Sequence, residues 1–306
     1  MIKHFTIFLF IFSFINIKAQ EFIPLWQKDK MPNSKGVYVK DSVANERLYS
    51  ITTPGIYTFF PSKDDNHGAA VIIFPGGGYN HITLNLSGFQ LAKWFNSLGM
   101  PAFVVVYRLP TSPDLKQKEL GPLQDAQRAI RLIRNNADKW GIKKDKIGLM
   151  GTSSGGHLAT LLGTHTRDIS AIKDSLDKIS FHPDFMILIS PVIDMDKYAH
   201  SGSRKRLLGD SPSQELIDKY STQNSVTATT PPCFIAHAFN DKAVVPQNSL
   251  LFYKALLEKN ISTSFHVFPK GGHAIGLSNN PGSTELWKPL CEMWLKEMGF
   301  IETKKR

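Results

Sequence analysis

The stretch Ile147-Gly148-Leu149-Met150-Gly151-Thr152-Ser153-Ser154-Gly155-Gly156-His157 decides how the chain is read. The apolar run of Ile147, Leu149 and Met150 has strand character and stops at Gly151. Beyond Gly156 the apolar residues Leu158, Ala159, Leu161 and Leu162 fall at helical spacing. Gly151 to Gly155 therefore fits G-x-S-x-G between a strand and a helix, the pattern of a nucleophile elbow. The glycines have a steric reason. In so tight a turn the two backbones nearly touch, and a Cβ at 151 or 155 collides with the neighbouring element. Ser153 at the apex presents its hydroxyl above the sheet edge. The helix behind it offers free N–H groups and a positive dipole end to a developing oxyanion. Ser154, one residue out of register, is the rival nucleophile.

The composition admits this reading. A chain of 306 residues, 42% hydrophobic and 20% charged, is long enough for one large α/β domain or two small ones and is not disordered. Met1–Ala19 stands apart: Lys3 and His4 precede the apolar run Phe5–Ile17, and Ala19 offers a small residue before Gln20. That layout predicts a cleaved secretory signal peptide, the run being shorter than the ~20 residues of a spanning helix. The expected mature protein, residues 20–306, is a single domain, exported to the periplasm or beyond, with no membrane span. Export permits disulfides. The two cysteines, Cys233 and Cys291, do not make a stapled framework, and their pairing stays open. The formal charge is +10, with the basic residues spread along the chain. This reads as solubility rather than a nucleic-acid surface.

Taken in order, residues 20–46 read as an irregular arm, and Arg47–Thr52 and Gly55–Phe60 as two edge strands joined by Thr53-Pro54. Ala69–Phe74 and Ala102–Tyr107 are continuous apolar runs suited to buried strands, with a helix around Gly88–Leu98 between them. Arg108 to Gly121 reads as a surface loop. Pro122–Trp140 reads as a helix with Ala126, Ala129, Ile130, Ile133, Ala137 and Trp140 on one face. Phe185–Ile189, Cys233–Ala238 and Ser264–Phe268 read as further strands, Gln247–Glu258 and Thr284–Met298 as helices. About 191–230 the alternation breaks, apart from an amphipathic piece at Gln214–Tyr220, which predicts an insertion over the strand ends. Strands alternating with helices imply a largely parallel sheet with ligands at its carboxyl edge.

A serine hydroxyl needs a base within hydrogen-bond reach, and the base needs an orienter. His273, in the loop after the last strand, is the leading base. Asp241 follows the preceding strand and is the favoured orienter, with Asp194 the alternative. Donors for a tetrahedral oxygen are expected at the Ser154 N–H and at Gly77 or Gly78 in the turn Pro75-Gly76-Gly77-Gly78-Tyr79. Tyr79 and His81 beside that turn are candidates for substrate contact. Neither glycine cluster is followed by the Lys-Ser/Thr of a phosphate loop, and His157, His182, His200, His237 and His266 show no metal-ligand spacing. No metal or cofactor is expected. His157 reads as a packing residue behind the elbow.

These pieces, with Ile23-Pro24-Leu25-Trp26, Pro122-Leu123-Gln124-Asp125-Ala126, Gly202-Ser203-Arg204, Leu207-Leu208-Gly209 and Lys270-Gly271-Gly272-His273, resemble secreted bacterial α/β-hydrolases of the acetylxylan esterase and carbohydrate esterase type. The resemblance spans nearly all of residues 20–306. It implies an α/β-hydrolase fold with a lid-like insertion, a Ser153–Asp241–His273 triad, an acylated plant carbohydrate as partner, and Arg204 as a substrate contact. One departure is Thr152-Ser153-Ser154, where relatives often carry an aromatic and an alanine around the serine; Ser154 is there placed to hydrogen-bond Ser153 and alter its reactivity. Three alternatives stay open: a feruloyl esterase, an exopeptidase of the prolyl-oligopeptidase type, and a non-catalytic glycan-binding protein on the same scaffold. The acyl group, the glycan and the oligomeric state are not legible.

Overall fold

The computed structural model describes residues 20–302, apart from 28 and 274. The leader read into Met1–Ala19 and the basic tail at Lys304-Lys305-Arg306 lie outside the described residues. The longest apolar runs, which leave no strand face for water, occupy the middle of an eight-stranded sheet. They are β5 (Ala70–Phe74), β7 (Ala102–Val106), β8 (Ile147–Thr152), β9 (Met186–Ile189) and β10 (Cys233–Ala238). With β1 (Glu21–Pro24), β4 (Gly55–Phe59) and β11 (Thr263–Phe268), the order is β1-β4-β7-β5-β8-β9-β10-β11. Neighbours from β7 to β11 are parallel, while β4 runs antiparallel to β7 and β1 antiparallel to β4. The chain leaves β5 for β7 on one side and returns to β8 on the other. The carboxyl ends of β5 and β8 therefore flank a topological switch point, the place where such sheets bind ligands.

Helices cover both faces. α1 (Gln90–Ser97) and α7 (Trp287–Glu297) pack on one apolar cluster. α2 (Gly121–Asn135), α3 (Ser154–Thr164) and α6 (Gln247–Glu258) pack on the other. All eleven residues of α3 are buried, so this helix is a core element. Cys233 and Cys291 are both buried and free. No helix among the described residues is long and apolar enough to cross a membrane.

Several expectations need correction. Arg47–Thr52 and Gly55–Phe60 do not pair as a hairpin. β3 (Arg47–Ser50) joins a small sheet with β2 (Ser42–Ala44) and β6 (Ile82–Thr83), whereas β4 is second from the edge of the main sheet. Alternation reports a strand but not its partner. The arm is partly a strand, β1, in register with β4 from Glu21↔Thr58 to Pro24↔Gly55. The helix expected over Pro122–Trp140 stops at Asn135 and resumes as a single turn, Asp138–Trp140. The insertion carries α4 (Ser201–Leu208) as well as α5 (Gln214–Tyr220).

The segment Arg108 to Gly121 is not a solvated loop. Arg108, Asp114 and Leu115 are buried, and Asp114 Oδ1 accepts from Ser34 Oγ, Lys35 N and Val37 N. Nor is all of the positive charge spent on solubility. Arg128, Arg131 and Arg134 follow one another along α2 and pair with Asp174, Asp168 and Asp184, pinning the segment after α3. The deepest pair is Arg108–Asp125, 2.8 Å apart and fully enclosed. Asp125 also accepts from Trp26 Nε1 at 2.8 Å and from the Arg108 N–H at 2.7 Å, tying β1 and the loop after β7 to α2. Removing one partner strands the other as a buried charge. Asp125→Ala is expected to cost about 3–5 kcal/mol in urea unfolding; a loss under about 1 kcal/mol, the range of an exposed pair, would show that Asp125 does not organise this region.

Candidate active site

Ser153 lies between the last residue of β8 and the first of α3, with φ +57° and ψ −123°. A non-glycine residue keeps such a backbone only when its surroundings impose it. Here its N–H donates to Ile189 O at 3.1 Å, and its carbonyl accepts from Val192 N at 3.0 Å and His157 N at 3.2 Å. A Cβ on Gly155 would overlap the Phe74 carbonyl, and one on Gly151 the Gly155 carbonyl, so the strand and helix meet where only glycine fits.

The three residues chosen from the sequence come together. Ser153 Oγ is 2.9 Å from His273 Nε2, and His273 Nδ1 is 2.7 Å from Asp241 Oδ2. Asp241 and His273 follow β10 and β11, whose parallel register ends at Ala238↔Phe268 and sets their loops side by side. A carboxylate only accepts, so Nδ1–H donates to Asp241 and Nε2 is left to accept the Ser153 proton. Asp241 is enclosed, and its Oδ1 accepts the N–H groups of Ala243 at 2.9 Å and Val244 at 3.0 Å. Burial alone would raise its carboxyl; hydrogen bonds from His237 and His273 outweigh that and hold it well below the usual carboxylate range.

His237 was passed over in the sequence as one of several scattered histidines. It is buried on β10 with Nε2 2.8 Å from Val244 O and 3.3 Å from Asp241 Oδ2. Its Nδ1 accepts from Ser249 Oγ at 2.7 Å. The available signal was its place in an apolar strand, where a buried polar ring must find partners.

Gly77 and Gly78, expected from the sequence as donors, lie in the loop after β5. Gly77 has φ +141° and Gly78 φ +62°, and a Cβ on Gly77 would overlap the His81 carbonyl. Tyr107 Oη, donating to Pro75 O at 2.8 Å, and Thr83 N, donating to Gly76 O at 2.9 Å, hold the loop beside the elbow. Among the described residues the N–H groups of Gly77, Gly78 and Ser154 donate to no protein acceptor.

Ser154 does not hydrogen-bond Ser153. Its side chain is fully buried and accepts from the Tyr79 N–H at 3.3 Å, which also removes it as a nucleophile. Tyr79 is not a substrate contact: it is fully buried, and its hydroxyl donates to His157 Nδ1 at 2.8 Å. His157 Nε2 in turn donates to Tyr220 O at 2.8 Å. Burial pushes the His157 imidazole down to about 4, so the ring stays neutral and tethers the loop to the insertion. Arg204 lies outside the cleft; two residues on, Arg206 lines it and donates to Gly78 O at 3.3 Å. Asp194 is not the orienter: its oxygens accept from Tyr198 N and Gln223 Nε2 within the insertion. His81 does line the cleft, as do Arg47, Asn80 and His200, which the sequence reading did not select. The cleft holds about 790 Å³. Leu91, Met150, Ile189, Ile275 and Trp287, members of one apolar cluster, line part of it.

A parallel sheet with a strained serine after a central strand and an acid and a histidine after the last two defines an α/β-hydrolase. The BD-FAE family matches residues 56–256, and the chain belongs to that family. The resemblance to α/β-hydrolases of the acetylxylan esterase and carbohydrate esterase type therefore holds. The chain is 35% identical over 256 residues to endo-1,4-beta-xylanase B of Butyrivibrio fibrisolvens, covering 82% of this chain and 40% of that protein. It is 34% identical over 237 residues to an acetylxylan esterase of Xylanibacter ruminicola, covering 76% and 45%. The chain thus spans less than half the length of these two relatives. A crystal structure of an acetyl ester-xyloside bifunctional hydrolase from Caldicellulosiruptor lactoaceticus superposes with a TM-score of 0.79 at 35% identity, covering 92% of this chain and 97% of that one.

Because the folded carboxyl of Asp241 lies below its unfolded value, its contribution to stability is present above the ordinary aspartate range and is lost as pH falls through the folded value. The stability gap between wild type and Asp241→Asn is expected to widen from about pH 3 to about pH 5 and then level off. A gap in urea midpoints that shrinks over that interval would contradict the assigned environment.

Proposed function

We propose that the chain is an exported serine esterase that removes O-acetyl groups from xylan-type carbohydrate through an acyl-enzyme. The observation that carries the reading is the line Ser153 Oγ–His273–Asp241 at 2.9 and 2.7 Å beneath an open cleft. Ser153 Oγ attacks the ester carbonyl carbon while His273 Nε2 takes the hydroxyl proton. Asp241 holds the ring and stabilises the imidazolium. The negative oxygen of the tetrahedral intermediate is met by the unspent N–H groups of Ser154 and of Gly77 or Gly78. Collapse breaks the bond to the sugar oxygen, which receives the proton from His273 and leaves as an alcohol. Water then attacks the acetyl-serine by the same route and releases acetate.

The substrate rests on the relatives: one bears the name acetylxylan esterase and another is described as an acetyl ester-xyloside hydrolase. Export rests on the Met1–Ala19 pattern.

Acetate release from acetylated xylooligosaccharides tests the reading. Wild type is expected to release acetate and to outpace itself on feruloyl esters and aminoacyl anilides. Ser153→Ala is expected to lose about 10⁴-fold or more in kcat. Wild-type rates in Ser153→Ala, or folded wild type inert to every ester, would remove the assignment, the latter in favour of a binding protein.

A further inference from the structure

The charge of the cleft is one-sided. Arg47 from β3 and Arg206 from α4 both line it, and no aspartate or glutamate is among its lining residues. The arginines at 108, 128, 131 and 134 are each paired with a carboxylate. Arg47 and Arg206 form no ion pair among the described residues. Glu46, beside Arg47, is engaged by Asn85 Nδ2 at 3.0 Å. Arg206 spends one N–H on Gly78 O, and Arg47 makes no side-chain hydrogen bond among the described residues. Both guanidiniums act on His81, whose imidazole is pushed down first by burial and then by Arg47 and Arg206.

The positive charge continues outward. Arg206 also lines an adjoining depression of about 300 Å³ with Lys118 and Lys205. Asp210 pairs with Lys205 at 2.7 Å and also feels Lys118, leaving Arg206 without an ion pair among the described residues. The apolar lining residues Leu91, Met150, Ile189, Ile275 and Trp287 belong to one hydrophobic cluster. An acetyl group carries no charge, so a carboxylate that meets the two guanidiniums sits on the alcohol part of the ester. A guanidinium left free in a cleft presents a planar fork that fits a carboxylate in two parallel hydrogen bonds.

We infer that the alcohol part of the preferred substrate is an acidic sugar: an O-acetylated oligosaccharide bearing a uronic-acid carboxylate, bound by Arg47 and Arg206. This rests on the esterase reading above and specifies its substrate class.

The experiment compares kcat/KM for two acetylated xylooligosaccharides of equal length and acetylation, one neutral and one with a uronic-acid branch. p-Nitrophenyl acetate and p-nitrophenyl hemisuccinate serve as further substrates. Wild type is expected to favour the acidic glycan about tenfold or more, as charge-assisted hydrogen bonds imply. The preference is expected to shrink in 0.5 M salt, on the order of a few Å of screening length. It is expected to fall toward unity in Arg47→Ala, on an exposed strand where folding is not at stake, and to return in part in Arg47→Lys. Wild type that hydrolyses p-nitrophenyl acetate but treats the two glycans alike overturns this inference and leaves the esterase reading standing. An unchanged preference in Arg47→Ala overturns it as well. Preference for hemisuccinate over acetate puts the carboxylate on the acyl side and also overturns it. Wild type inert to every ester removes the esterase reading itself.

Discussion

The contact on which the rest depends is the approach of α3 to β8 at Gly151 and to β5 at Gly155, so close that a Cβ at either position meets backbone carbonyl. That approach forces the chain through a turn too sharp for ordinary dihedrals, and Ser153 carries the strain at φ +57°. Hydrogen bonds then hold it, since its N–H is engaged by Ile189 at the end of β9 and its C=O by Val192 just beyond. The parallel register Phe74↔Gly151 places the loop after β5 directly alongside. A hydroxyl fixed at that spot meets His273 Nε2 at 2.9 Å.

Beneath this arrangement runs a layer of buried polar side chains. Tyr79, His157 and Ser154 link the loop after β5 to the elbow helix and to the insertion. His237 and Ser249 perform the corresponding task under Asp241. Each member has a partner, which is the condition for such groups to be tolerated in a low-dielectric interior. Positive charge is divided in a parallel way. Arginines of α2 and Arg108 are consumed in holding segments together, while Arg47 and Arg206 line the cleft with no ion pair among the described residues.

What was legible in the sequence follows from how local each signal is. The elbow could be read because steric demand and motif coincide within five residues. Ser153, Asp241 and His273 could be singled out because each follows an apolar strand run, and parallel sheets gather such positions at one edge. Partners of long-range contacts were not legible. Alternation in Arg47–Ser50 and Gly55–Phe59 says nothing about which sheet each joins. Asp114 and Arg108, polar residues in a proline-bearing segment, look solvated until the residues 32–37 arm closes over them. Arg204 and Arg206 differ by half a helical turn, and only packing decides which faces the cleft. The burial of Tyr79 and Ser154 is likewise set by α3 and the insertion, not by neighbours in the chain.

The central claim is that Ser153 is the activated nucleophile. It is tested most directly by inactivating the protein with a fluorophosphonate and locating the adduct by peptide mass spectrometry. The account predicts stoichiometric labelling at Ser153, abolished in Ser153→Ala and suppressed when His273 is replaced by alanine. An esterase-active protein that carries the adduct at Ser154, or that resists labelling altogether, would contradict it.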